Sequence, residues 1–138
     1  MSSYQQAVDA LAAQLGALLP DLRVSNFVPP QINPPAAIVA PNPADLADYE
    51  VIMSSDTALW YVRVVLVVGL VKDDAAQATM NAMIATTGPT SVIHAIRSDP
   101  TLSGTVEWAE PKTAGKYGAM NYAGQDYLGC ELTIEVSC

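Results

Sequence analysis

Residues 60–71 read Trp60-Tyr61-Val62-Arg63-Val64-Val65-Leu66-Val67-Val68-Gly69-Leu70-Val71, the longest apolar stretch of the chain. Its side chains are mostly β-branched or aromatic, which favours a pleated backbone. A half-buried strand would alternate apolar with polar residues, whereas here both alternate sets are apolar. That composition predicts a central strand, Ala58 to Val71, covered on both faces. A membrane helix needs about 20 apolar residues; this stretch has twelve, Arg63 among them. No bilayer-spanning segment is expected.

On the N-terminal side, Ser3 and Gln6 have the spacing of a capping box. Tyr4, Val8, Leu11, Leu15 and Leu18 follow as one helical stripe, and Pro20 ends it. This helix is the expected cover for one face of the central strand. Leu22 to Val28 alternates and predicts a short strand. Pro29 to Pro35 then breaks regular structure, because proline removes ladder donors and fixes φ. A proline-rich ligand for an SH3 domain would want a flanking arginine, so a stiff connection between strands is the preferred reading. A second strand is expected over Ala36 to Ala40. A loop carrying Asp45, Asp48 and Glu50 leads into a third strand near Tyr49 to Ser54.

On the C-terminal side, Asp73 or Asp74 caps a helix with Ala76, Met80, Met83 and Ile84 on one face, stopped by Gly88-Pro89. A shorter helix, Ser91 to Ser98, buries Val92 and Ile96. A strand is expected from about Thr105 to Glu110, and another from Asp126 to the end. The latter alternates Leu128, Cys130, Leu132, Ile134 and Val136 against Glu131, Thr133 and Glu135. Lys112 to Gln125, rich in Gly and Tyr, reads as a hairpin extension or flexible arm. The order predicts one α+β domain over residues 1–138. Its sheet is expected to be mainly antiparallel, flanked by an N-terminal helix and a central helix pair.

Charge narrows the function. Only 14% of residues are charged, against about 25% in an average soluble domain. So much uncharged surface suits a subunit whose faces are covered by partners. The 14 acidic and 6 basic residues leave a net charge of -8. An acidic surface repels a nucleic-acid backbone, which would let DNA slide past without sticking. Acidity also simply keeps a protein soluble. Met1 to Gln6 has no basic residue ahead of an apolar run, so no secretory leader is expected.

Catalytic chemistry finds little to work with. His94, the single histidine, reads as a surface residue with no acid or nucleophile beside it. Cys130 and Cys138 lie on one strand face about 26 Å apart if extended; Cys130 reads as core and Cys138 as a loose tail. No phosphate-binding glycine loop, nucleophile elbow or zinc helix is present. Glu110-Pro111-Lys112, with Asp99 upstream, has the spacing of a metal-dependent nuclease. However, Pro111 is expected to interrupt its strand, and no basic surface accompanies it. No catalytic residue, metal or cofactor is expected. Arg63 is expected to reach water near its strand end. Tyr117, Tyr122 and Tyr127, among Gly115, Gly118, Gly124 and Gly129, fit an adaptable contact surface or an ordinary hairpin.

Several stretches resemble one family. Leu22-Arg23-Val24 through Val28-Pro29, then Gln31-Ile32-Asn33-Pro34-Pro35-Ala36-Ala37-Ile38-Val39, resemble the N-terminal half of tail terminator proteins from long-tailed, siphovirus-type phages of actinobacteria. Ser98-Asp99-Pro100-Thr101-Leu102-Ser103-Gly104 looks like the same family, as do Tyr117-Gly118 and Asp126 to Val136. The resemblance spans nearly the whole chain and implies a lambda-type tail-terminator fold. It implies a structural virion protein without an active site: a ring, commonly hexameric, on the head-proximal end of the tail tube. The ring would stop tube growth and meet the head-to-tail connector protein, with DNA as passing cargo and no membrane involved. The alternatives are another connector or neck protein, or a stand-alone binding module. Under the ring reading, Asp45, Asp48 and Glu50 are candidates to face the lumen or tube. Lys112, Lys116, Tyr117 and Tyr122 are candidates for subunit contact through the 112–125 arm.

Overall fold

The computed structural model describes residues 4–26, 34–42, 46–48, 58–70, 74–122 and 124–138. In chain order its elements are α1 (Tyr4–Leu18), β1 (Arg23–Ser25), β2 (Ala36–Pro41), β3 (Ala47–Asp48), β4 (Leu59–Leu70), α2 (Asp74–Ile84), α3 (Val92–Ser98), β5 (Trp108–Tyr122) and β6 (Gln125–Ser137). The fold is α+β.

The valine-rich stretch is β4, hydrogen-bonded to β2 on one side and β6 on the other; the sheet order is β1-β2-β4-β6-β5, and β3 also pairs with β4. The sheet is mixed. β1 runs parallel to β2, whereas the pairings β2–β4, β3–β4, β4–β6 and β5–β6 are antiparallel. Val64 sits between Val39 and Leu132, and Leu66 between Ala37 and Cys130. Alternation then sorts the strand by face. Val62, Val64, Leu66 and Val68 join the buried cluster to which all three helices contribute. Val65 and Val67 face the other way, with Ala36, Ile38 and Ala40.

Helix α1 turns Ala7, Val8, Leu11 and Leu15 inward, and Tyr4 meets Trp60 with ring centroids 4.9 Å apart. The stripe departs from expectation at its end. Leu18 is 47% exposed while Leu19 is buried. The chain leaves the helix at Leu18, and the spacing Leu11, Leu15, Leu19 holds the core-facing side. In α2, Ala76, Met80 and Met83 are buried as the periodicity predicts. In α3, Val92 and Ile96 are buried and Ser91 is the N-cap, its hydroxyl accepting from the His94 amide at 3.0 Å. That bond satisfies one of the donors a helix start leaves open. Ser3 and Asp73 lie outside the described residues, as do 27–33 and the third strand expected near residues 49–54.

Two expectations about the C-terminal half are corrected. Pro111 does not interrupt its strand: β5 runs from Trp108 to Tyr122, and Pro111 lies opposite Ile134. β5 is the last strand in the sheet order, and an edge strand tolerates a residue with no N–H to donate. Cys138 is not a loose tail either. It is 7% exposed and exchanges backbone bonds with Ala58, at 2.9 and 3.2 Å. Burial raises both thiols above the usual cysteine range. No helix among the described residues is long and apolar enough to cross a membrane.

Candidate interaction surface

The sheet has two unlike faces, and the candidate site lies on the one away from the helices. β6 builds it by alternation. Cys130, Leu132, Ile134 and Val136 enter the helix-side core, so Glu131, Thr133 and Glu135 project to the opposite side. β5 adds cations through two irregularities in its pairing, between Pro111 and Thr113 and between Gly115 and Gly118. Lys112 occupies the first and Lys116 the second, the latter at a φ of 53°. An extra residue in one strand re-aims its side chain and strengthens the local twist. Both lysines are thereby brought against β6.

The contacts form one triad, Arg63–Glu131–Lys116, and one separate pair, Lys112–Glu135. Lys112 Nζ lies 2.6 Å from Glu135 Oε1, and Lys116 Nζ 3.2 Å from Glu131 Oε2. Arg63 Nη1 lies 2.9 Å from Glu131 Oε1. Arg63 is therefore not a residue that merely reaches for water; it has a carboxylate partner from the neighbouring strand, as a part-buried guanidinium requires. Its Nε is buried without a hydrogen-bond partner. The Glu135 hydrogen bond, and then its charge, hold the Lys112 ammonium above the ordinary lysine range. Asn42, Arg63, Thr113, Lys116, Glu131 and Thr133 line a shallow pocket of about 270 Å³ beside the triad.

Exposure gives these contacts a polarity. The Glu131 and Glu135 side chains are only 15% and 17% exposed, against 76% for Lys116 and 55% for Lys112. The carboxylates are held low and the ammonium groups stand above them. Towards the other end the same face becomes apolar: Met120 and Tyr127 pack on Ala36, Ile38, Ala40, Val65 and Val67. Gly129 lies beneath Met120, where a Cβ would come within 2.9 Å of Met120 Cε.

The other expected site residues are dispersed. Tyr117 does not extend freely: its hydroxyl donates to Asn81 Oδ1 at 2.8 Å, tying β5 to α2. Tyr122 closes β5 opposite Gln125, and Asp48 stands opposite Leu59 in β3. Asp45 and Glu50 lie outside the described residues. The 112–125 segment pairs along β6 of its own chain, as a hairpin. The three residues of the nuclease pattern each have a different partner. Asp99 accepts from the Ser103 amide and the Thr101 hydroxyl, both at 2.9 Å, which lowers its carboxyl below the usual range. Glu110 pairs with Arg97 at 2.8 Å, and Lys112 with Glu135. Among the described residues no group of three or more His, Cys, Asp or Glu is placed to hold a metal ion.

The sequence matches no protein-family model and no curated protein. Of the expected site residues, the structure sets Lys112 and Lys116 on the same outer face, each paired with a different carboxylate of β6. It adds Arg63, Glu131 and Glu135, which sequence reasoning had not placed in the site. A signal for them existed in the matching four-residue spacings, Lys112 to Lys116 and Glu131 to Glu135, but aligning the two pairs requires the bulged register of the hairpin.

Proposed function

We propose that this chain is a non-catalytic virion protein of the tail-terminator kind. It forms a homo-oligomeric ring, hexameric by the resemblance, that ends tail-tube growth and joins the tail to the head connector. DNA passes through the ring as cargo, and the protein assembles in the bacterial cytoplasm before entering the virion. The observation that carries this reading is the ordered resemblance from Leu22 to Val136. Its stretches coincide with elements that build the sheet: β1 and β2 for the first, β6 for the last. The middle stretch, Ser98 to Gly104, runs from the last residue of α3 through the turn after it, where Leu102 has a φ of 50° yet is only 1% exposed. A mainly antiparallel, lambda-type tail-terminator sheet belongs to the same proposal, and the four antiparallel pairings are in keeping with it. The separation of Asp99, Glu110 and Lys112 among different partners favours assembly over nuclease chemistry.

Negative-stain electron microscopy of the purified chain over a concentration series tests the proposal. Class averages should show closed rings of fixed rotational symmetry with a central hole wide enough for duplex DNA. Monomers at every concentration would instead favour a stand-alone binding module.

A further inference from the structure

We infer that the charged outer face of the sheet, centred on Arg63, Lys112 and Lys116, is one half of the contact between neighbouring copies, and that it receives a carboxylate-bearing surface of the second copy. The inference rests on the ring reading and specifies how such a ring closes. A ring of more than two subunits is joined by heterologous contacts, in which two different patches of the same chain meet. Such patches must be complementary, and opposite charge is one way to make them so.

This chain has the required asymmetry. Half of its six basic residues are on this face, while the whole chain carries a net charge of -8. Glu131 and Glu135 pair directly with these three cations and offset two of the positive charges. The surplus is still positive, and the lysine side chains, 76% and 55% exposed against 15% and 17% for the glutamates, are its outermost part. What an approaching surface meets first is cationic. Outside this patch the sequence is more acidic still, so a second copy is itself an anionic partner. The pocket lined by Arg63, Thr113, Lys116 and Glu131 shows how these cations hold a carboxylate, since Glu131 already accepts from both; an incoming carboxylate would share the exposed side of the guanidinium and the ammonium. Charge-assisted hydrogen bonds of that kind are stronger than neutral ones. Both lysines owe their positions to bulges, a device that re-aims side chains at sites of contact.

Sedimentation velocity of the full chain across a concentration series, at low and at high salt, tests the contact. Three variants accompany the wild type: Lys112→Glu with Lys116→Glu, Lys112→Gln with Lys116→Gln, and Lys112→Arg with Lys116→Arg. Circular dichroism confirms that each is folded. The double reversal should move assembly to about tenfold higher concentration or beyond, because like charges then face each other across the contact. The neutral pair should fall between, and the arginine pair should follow the wild type. Wild-type assembly should weaken as salt screens the contact. Should rings form equally well in the reversed and neutral variants, this contact is wrong and the ring reading stands. A wild type that stays monomeric throughout overturns the contact and the self-assembling ring together.

Discussion

The two faces of the sheet use the same strands for different ends. Towards the helices, β4 and β6 present Val62, Val64, Leu66, Leu132 and Ile134, each 0% exposed. Away from them, the same strands present Arg63, Glu131 and Glu135, which remain in partial contact with solvent. One residue of displacement along β6 separates the regimes. Leu132 belongs to the shared core of all three helices, whereas Glu131 answers two cations from two different strands. The contrast teaches that stability and recognition can be assigned to opposite sides of one sheet. Apolar burial is non-directional and tolerates no water; ion pairs need defined geometry and keep their value for a partner only where part of them stays exposed.

The largest expected effect is on the helix side. Leu132→Ala removes a fully buried side chain at the middle of the sheet and leaves a cavity beneath the helices. It should destabilise the fold by about 2–5 kcal/mol, read as a lower urea midpoint with little change in slope. A loss under about 1 kcal/mol would mean the core collapses freely around the gap, and the helix side would not be tightly packed at Leu132.

The neighbouring residue sharpens the comparison. Glu131→Gln keeps the shape but removes the charge that Arg63 and Lys116 share. The part-buried Arg63 would lose its charged partner, with its Nε already unpaired. A cost of about 1–3 kcal/mol is expected. Pairing this change with Arg63→Met should recover part of that loss, since the cycle then removes both members of the bond. If Glu131→Gln costs as much as Leu132→Ala, the outer face is a second stability core rather than a recognition surface.

Much of this architecture is legible in the sequence because burial leaves a periodic trace. The strand nature of residues 59–70 follows from its β-branched composition, and the helical faces of α1 and α2 and the in–out alternation of β6 follow from spacing. What is not legible depends on register or on neighbours. Leu18 and Leu19 are equally apolar, and only the point at which the chain leaves α1 decides between them. Pro111 argues against a strand unless that strand is known to be the edge. Cys138 looks loose until Ala58 is seen to bind it. Arg63 reads as an intruder in an apolar run because its partner, Glu131, is 68 residues away. Lys112 and Lys116 stood out as candidates for contact, but the carboxylates beneath them are set by two bulges that no periodicity announces.

The smallest expected effect separates the exposed rim of the outer face from its part-buried centre. The Lys112 ammonium is solvent-accessible, yet Glu135 raises its pKa. A lysine whose pKa is higher folded than unfolded binds its proton more tightly in the native state, so it adds stability while both states are protonated. That contribution is complete below the ordinary lysine range and disappears as pH rises through the raised folded value. Lys112→Met should therefore be slightly less stable than the wild type near neutral pH, and the two urea midpoints should converge in strongly alkaline solution. Convergence would assign the difference to the ammonium rather than to lost packing of the side-chain stem. A gap that persists unchanged at alkaline pH would mean that Lys112 supports β5 through its methylenes. The outer face would then be a packed surface at its rim as well as at its centre, and its contrast with the helix side would be one of degree.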